Sequence, residues 1–352
     1  MNQKFTLTLP YHPSYSIDKI KSKINEILSK IPIKNIILGC DANTTYAKDV
    51  IDYFHEHHIR VYLRLPILCG NTKDRIPMID MEQKQTARAC PSSLHNAHEI
   101  IHLYETSFAN LPFDGVFLDE LQSASFVSSY AQGFGCFCDS CEKQMYSLDL
   151  PYIKDLIQRH DKNLLRGEYD KYGRYHFADY QVNMFYKRKA QIISDLIFKL
   201  SAYFNSRKLI VGVNVLAPVM AYHASQNINE IGKLVDFVQP MMFTKGCNGM
   251  SKEYDAYLQY FEEGHHFSKH ALEGLLSEKS MRRQLDYLSN INANVIPSIE
   301  IQTEDDHDQI SVDEVLEQLH MFHSYATLAL CGDLMKIDDA ILTLISNALL
   351  VS

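Results

Sequence analysis

Short apolar runs rich in β-branched residues alternate along the chain with stretches whose apolar residues recur every three or four positions. The first pattern predicts buried strands and the second amphipathic helices. Eight runs predict strands over Lys4–His12, Lys34–Cys40, Arg60–Leu65, Phe113–Leu121, Lys208–Leu216, Val235–Phe243, Asn294–Ile301 and Ala326–Leu330. Between them, Ser16 precedes a stripe of Ile17, Ile20, Ile24, Ile27 and Leu28, which predicts a capped helix with one apolar face. Further helices are predicted over Thr45–His57, Ser93–Glu105 and Gln181–Tyr203. Eight strand and helix units without an internal repeat predict an α/β fold, a (β/α)8 barrel. The whole chain, residues 1–352, then forms one barrel domain, with an insertion at about 122–180 after the fourth strand.

Length and charge narrow the partners. A chain of 352 residues with 46% hydrophobic content fits one barrel with insertions. The net charge of −9, without a basic stripe, argues against nucleic acid as a partner. The N-terminus has no cationic region followed by an apolar core, and no apolar run approaches a membrane span, so a soluble cytoplasmic protein is expected. Eight cysteines in such a chain suit metal binding or free thiols better than disulfides. A homo-oligomer is compatible with the sequence. Trp is absent, so any aromatic platform for a sugar falls to Tyr or Phe.

The densest chemistry lies in FDGVFLDELQSASFVSSYAQGFGCFCDSCEK, Phe113 to Lys143. Asp119 and Glu120 close the predicted fourth strand, and barrels deliver functional side chains at that end. Cys136, Cys138 and Cys141 form a CxCxxC knuckle whose thiolates converge on one ion, and Cys90, in a loop before a helix, is the candidate fourth ligand. Four soft thiolates point to a structural Zn2+. Among the later strand tips, Asn214 and Gln239 are candidate substrate-binding residues. Glu300 is a lone carboxylate in an apolar strand, costly to bury unless its charge is used. The insertion carries Tyr169, Tyr172, Tyr175, His176 and Tyr180, which either face a substrate or pack the insertion onto the barrel.

The CP loop at Cys90, the acidic pair at Asp119–Glu120 and the CxCxxC together resemble the zinc-bearing barrel of family 42 glycoside hydrolases, the β-galactosidase group of clan A. The match covers roughly residues 86–148. The resemblance implies a carbohydrate or glycoside substrate, Cys90, Cys136, Cys138 and Cys141 as zinc ligands, Glu120 as acid/base and, by strand position, Glu300 as nucleophile. In that clan an Asn typically precedes the acid/base, where this chain has Asp119. A group of barrel enzymes acting on α-linkages uses an Asp at the fourth strand tip as nucleophile, a role open to Asp119. The line DGVFLDEL is also similar to the family 18 chitinase strand DGxDxDxE, but Phe117 and Leu121 replace its second Asp and its catalytic Glu, which sets chitinase aside. The knuckle resembles that of tRNA-guanine transglycosylases too, where a His joins the cysteines and His160 would be the counterpart. Two further readings stay open: a non-catalytic carbohydrate-binding or structural barrel, which the absence of Trp favours, and a zinc hydrolase using the cluster His55–His58, expected at the amino end of the third strand.

Overall fold

The computed structural model describes residues 3–40, 47–69, 74–122, 128–164, 166–170, 175–242, 278–301 and 310–351. Eight parallel strands close into a barrel: β1 (Lys4–Leu9), β2 (Ile33–Leu38), β3 (Arg60–Pro66), β4 (Gly115–Asp119), β5 (Ile210–Leu216), β6 (Phe237–Met241), β7 (Asn294–Val295 with Ser298–Glu300) and β8 (Thr327–Asp333). Each pairs with its sequence neighbours and β8 returns to β1. β7 is interrupted at Ile296-Pro297, since proline has no N–H for the ladder.

Alternation sorts the strand side chains into two populations. One face of each strand packs against the helices in a large apolar core. The other fills the barrel interior, where Ile37, Tyr62, Phe117, Phe237, Ile296 and Ala329 form a separate apolar plug. Glycine makes room for it at one point. A Cβ on Gly212 would stand 2.0 Å from the Phe237 ring, so this position stays bare for the ring to cross the barrel.

The helices follow their sequence signals. Ile17–Leu28 buries Ile20, Ile24 and Ile27, and the Ser16 hydroxyl accepts from the Lys19 N–H at its start. Leu94–Ser107 is capped the same way by Ser93, and the longest helix, Tyr180–Ser206, by Asp179. Two antiparallel hairpins escaped the sequence reading. Pro77–Ile79 pairs with Gln85–Ala89, and Gly167–Tyr169 with Tyr175–Phe177; both are too short to carry a periodic signal.

Candidate active site and cysteine cluster

At the carboxyl end of the barrel the interior changes from apolar to polar. Phe117 belongs to the plug, so Asp119, two residues on, faces inward one layer higher. Asn214 and Gln239 are register partners on β5 and β6, facing inward above Gly212 and Phe237. Ile299 and Ile301 both pack in the helix-side core, which turns Glu300 between them to the barrel interior, where it is 3% exposed.

Asp119, 7% exposed, is held by three donors. Arg64 Nε donates to Oδ2 at 2.5 Å; Asn214 Nδ2 and the Glu120 N–H both donate to Oδ1 at 2.8 Å. The same guanidinium reaches toward Glu120, with Nη2 at 3.6 Å from Oε1. Glu120 follows the strand in a left-handed conformation, φ 56°, which bulky side chains rarely adopt and which turns it away from the strand's alternation. Its carbonyl accepts from the Leu68 N–H at 3.1 Å, and that of Asp119 from Ile67 at 2.9 Å, so the acidic tip is tied to the end of β3. The Cys69 thiol, hydrogen-bonded to Glu120, is pushed up from its usual range mainly by burial. Behind Glu300, the Gln318 side chain takes the backbone N–H at 3.1 Å and donates to the carbonyl at 3.5 Å.

Among the described residues, two acceptors in this layer lack a partner. Asn214 Oδ1 and Gln239 Oε1 are both buried without a hydrogen bond, an arrangement that loses free energy unless a donor arrives. Asn214 cannot simply be flipped to hide the problem, because its amide nitrogen is the group Asp119 needs.

The four predicted cysteines come together. All sulfurs of Cys90, Cys136, Cys138 and Cys141 lie within 4.8 Å of one another, with Cys90 Sγ 3.5 Å from Cys138 and 3.8 Å from both Cys141 and Cys136. Sulfurs sharing a tetrahedral zinc at ~2.3 Å stand ~3.8 Å apart, so the donor set fits that ion, and all four are free thiols. The cluster joins the acidic tip by a short hydrogen-bonded path. Ala89, beside Cys90, donates from its N–H to the Leu68 carbonyl at 2.8 Å, and Arg88 Nη1 to the Gln122 carbonyl at 2.7 Å. Lys189 of the long helix is 3% exposed beside the cluster. His160, the candidate ligand of the transglycosylase reading, instead stacks on Tyr130 with ring centroids 4.1 Å apart.

Other expectations fall elsewhere. Tyr175 packs edge-on to Phe177 at 4.9 Å and near His223 at 5.3 Å, in an apolar cluster of the insertion. His176 is half exposed and 3.2 Å from Asp170. Tyr180 is exposed, the Tyr169 backbone pairs with Tyr175 in the hairpin, and Tyr172 lies outside the described residues. His55 pairs with Asp114 at 2.9 Å, at the amino end of the barrel. Phe117 and Leu121, the departures from the chitinase line, are a plug residue and a fully buried core residue. Arg64, Cys69, Arg88 and Gln318 were not anticipated. An Arg inside an otherwise apolar strand, at the partner register of Phe117, was the available signal for the first.

No protein-family signature and no curated protein sequence matches the chain. Solved structures do. The chain is similar to the glycoside hydrolase domain of PgaB (BpsB) from Bordetella bronchiseptica, with a TM-score of 0.57 at 14% identity over 97% of each chain. It is similar also to the C-terminal domain of a putative chitinase from Desulfitobacterium hafniense DCB-2, TM-score 0.52, 10% identity, over 99% of this chain and 98% of that one. A third is alpha-L-fucosidase isoenzyme 2 from Paenibacillus thiaminolyticus, TM-score 0.52, 10% identity, over 99% of this chain and 48% of that one. At these identities the likeness is one of fold, and the chain is a closed eight-stranded parallel barrel of the (β/α)8 kind.

Proposed function

We propose that this barrel is a glycosidase cleaving a glycosidic bond with two carboxylates, Glu120 and Glu300. The observation that carries the reading is the polar layer above an apolar plug: two inward carboxylates, Asp119 and Glu300, with Glu120 at the strand tip, one arginine, and two amide oxygens without a partner among the described residues, at the end where barrels place their chemistry. Asn214 Oδ1 and Gln239 Oε1 accept from sugar hydroxyls, which supply the donors those oxygens lack. Glu300 bonds to the anomeric carbon as the glycosidic bond breaks and Glu120 protonates the leaving oxygen; water then attacks the same carbon, giving a proton to Glu120, and the bond to Glu300 breaks to release the sugar. Arg64 fixes Asp119 beside them. The four cysteines hold a structural zinc, closed by four thiolates and so without a position for substrate or water.

A second reading has its own support. Asp119 is held by three donors, and as nucleophile it would suit an enzyme for α-linkages. A panel of aryl glycosides separates the readings. Glu120→Gln and Glu300→Gln should each lower kcat by about 10²–10⁴-fold with the fold intact. Asp119→Asn as the most damaging change, with Glu300→Gln mild, favours the second reading, and no turnover of any glycoside by the unaltered protein favours a non-catalytic carbohydrate-binding barrel.

A further inference from the structure

Lys189 sits where a lysine is hardest to explain. It lies on Tyr180–Ser206, is 3% exposed, and among the described residues its hydrogen bond goes to a backbone carbonyl instead of a carboxylate. Its Nζ donates to the Cys136 carbonyl and stands 4.1 Å from the centroid of the Phe137 ring and 5.1 Å from that of Phe185. A carbonyl and two ring faces soften the desolvation of an ammonium without cancelling it. Burial pushes its ammonium down from the usual lysine range, and the charge of the four cysteines acts the other way. Its neighbour on the helix face, Ile192, packs in the same small cluster as Cys90, Cys136 and Cys141.

A divalent ion with four thiolates carries a net charge of about −2, buried here among Met78, Ile192 and the cysteines themselves. Such a centre needs a nearby cation as much as the cation needs it. We propose that Lys189 is the built-in counter-cation of the cysteine centre, selecting a divalent tetrathiolate ion and raising its affinity. This rests on the zinc reading of the four cysteines. It assigns Lys189 a role in holding the metal centre, with none in the barrel mouth.

The test is a cycle over metal and charge, read by chelator competition with zinc, by the thiolate absorption of the cobalt-loaded protein and by melting temperature. Unaltered protein should take up one zinc per chain; failure there overturns the zinc reading and the inference with it. If zinc binds, Lys189→Met should keep the tetrahedral cobalt spectrum and weaken zinc by about 10–100-fold, the range for partners that surround a ligand shell. Lys189→Gln keeps a donor for the Cys136 carbonyl but drops the charge, so it should weaken zinc as Met does. Stripped of metal, Lys189→Met should melt no lower than the stripped unaltered protein, because the buried cation has then lost its counter-charge. Zinc affinity unchanged in both variants overturns the inference, as does equal loss of melting temperature with and without metal. Restoration of affinity by Gln makes Lys189 a hydrogen-bonding post and overturns it also. So does a Met variant that folds in neither state.

Discussion

At the level of single residues, the mouth depends on how Arg64 divides itself between Asp119 and Glu120. Removing it leaves Asp119, itself buried, with its amide donors alone. Arg64→Met should cost about 1–3 kcal/mol in urea denaturation, below the full penalty for breaking a buried pair because the Arg64 side chain keeps a third of its exposure. Adding Asp119→Asn should restore part of the loss; strict additivity would mean that the two do not act as a pair. A second residue sets a pH dependence. Burial pushes the His223 imidazole down to about 4, only partly offset by a hydrogen bond with the Val219 backbone. Unfolded, it titrates near 6.5, so between about pH 4 and 6.5 the unfolded chain holds a proton that the folded chain refuses. Stability is therefore full above that window and falls as pH drops through it, by about 3 kcal/mol at most. His223→Phe, which suits the surrounding rings of Tyr175, Phe177 and Tyr186, should flatten the fall in urea midpoint from pH 7 to 4.5. An equal slope in both proteins would remove His223 from the account.

At the level of elements, the cysteine centre and the acidic tip share one hydrogen-bonded seam. Phe137 of the knuckle donates to Ile79, Ala89 to Leu68 and Leu68 to Glu120, so the hairpin between β3 and the helix Leu94–Ser107 bridges the two sites. Metal removal, or Cys138→Ser, should speed amide exchange at Leu68 and Ala89 roughly tenfold or more while Leu7 and Ile36 in β1 and β2 stay protected. Exchange that rises only within 130–160 would show the seam to be inert. The knuckle was legible in the sequence because CxCxxC forces three thiols onto one turn, and Cys90 because the chain order places its loop on the same face. The seam was not, since strands of three and five residues leave too little period to read and the left-handed turn at Glu120 has no glycine to announce it. Pro297 was visible, and its effect on β7, a break that still leaves Glu300 facing inward, follows from its missing N–H. Tyr175 and His176 were underdetermined for a different reason: a polar, Tyr-rich segment reads alike whether it packs or binds, and Tyr175 packs.

For the whole molecule, eight β-rich runs in order were enough to specify a closed barrel, because parallel neighbours joined by helices leave few other ways to bury every strand. What the runs could not express is how the plug supports the mouth. Phe237 crosses the interior over the bare Gly212, stacks on Phe117 with ring centroids 6.0 Å apart and meets the edge of Tyr62 at 5.1 Å. Gln239 and Asp119 each stand two residues beyond one of those rings. The floor and the site are thus consecutive layers of the same strands, and a displaced ring must move a polar side chain above it. Gly212→Ala, which sets a methyl 2.0 Å from the tip of the Phe237 ring, should destabilise the barrel by about 1–3 kcal/mol and, if the barrel is the glycosidase proposed above, lower its turnover too. Shortening the ring in the double variant Gly212→Ala/Phe237→Leu should recover stability that neither single change predicts, since the two positions compete for one volume. Recovery of the melting temperature without recovery of turnover would locate the requirement in the ring itself: the aromatic plug would then be holding Gln239 and Asp119 at working height, beyond filling space.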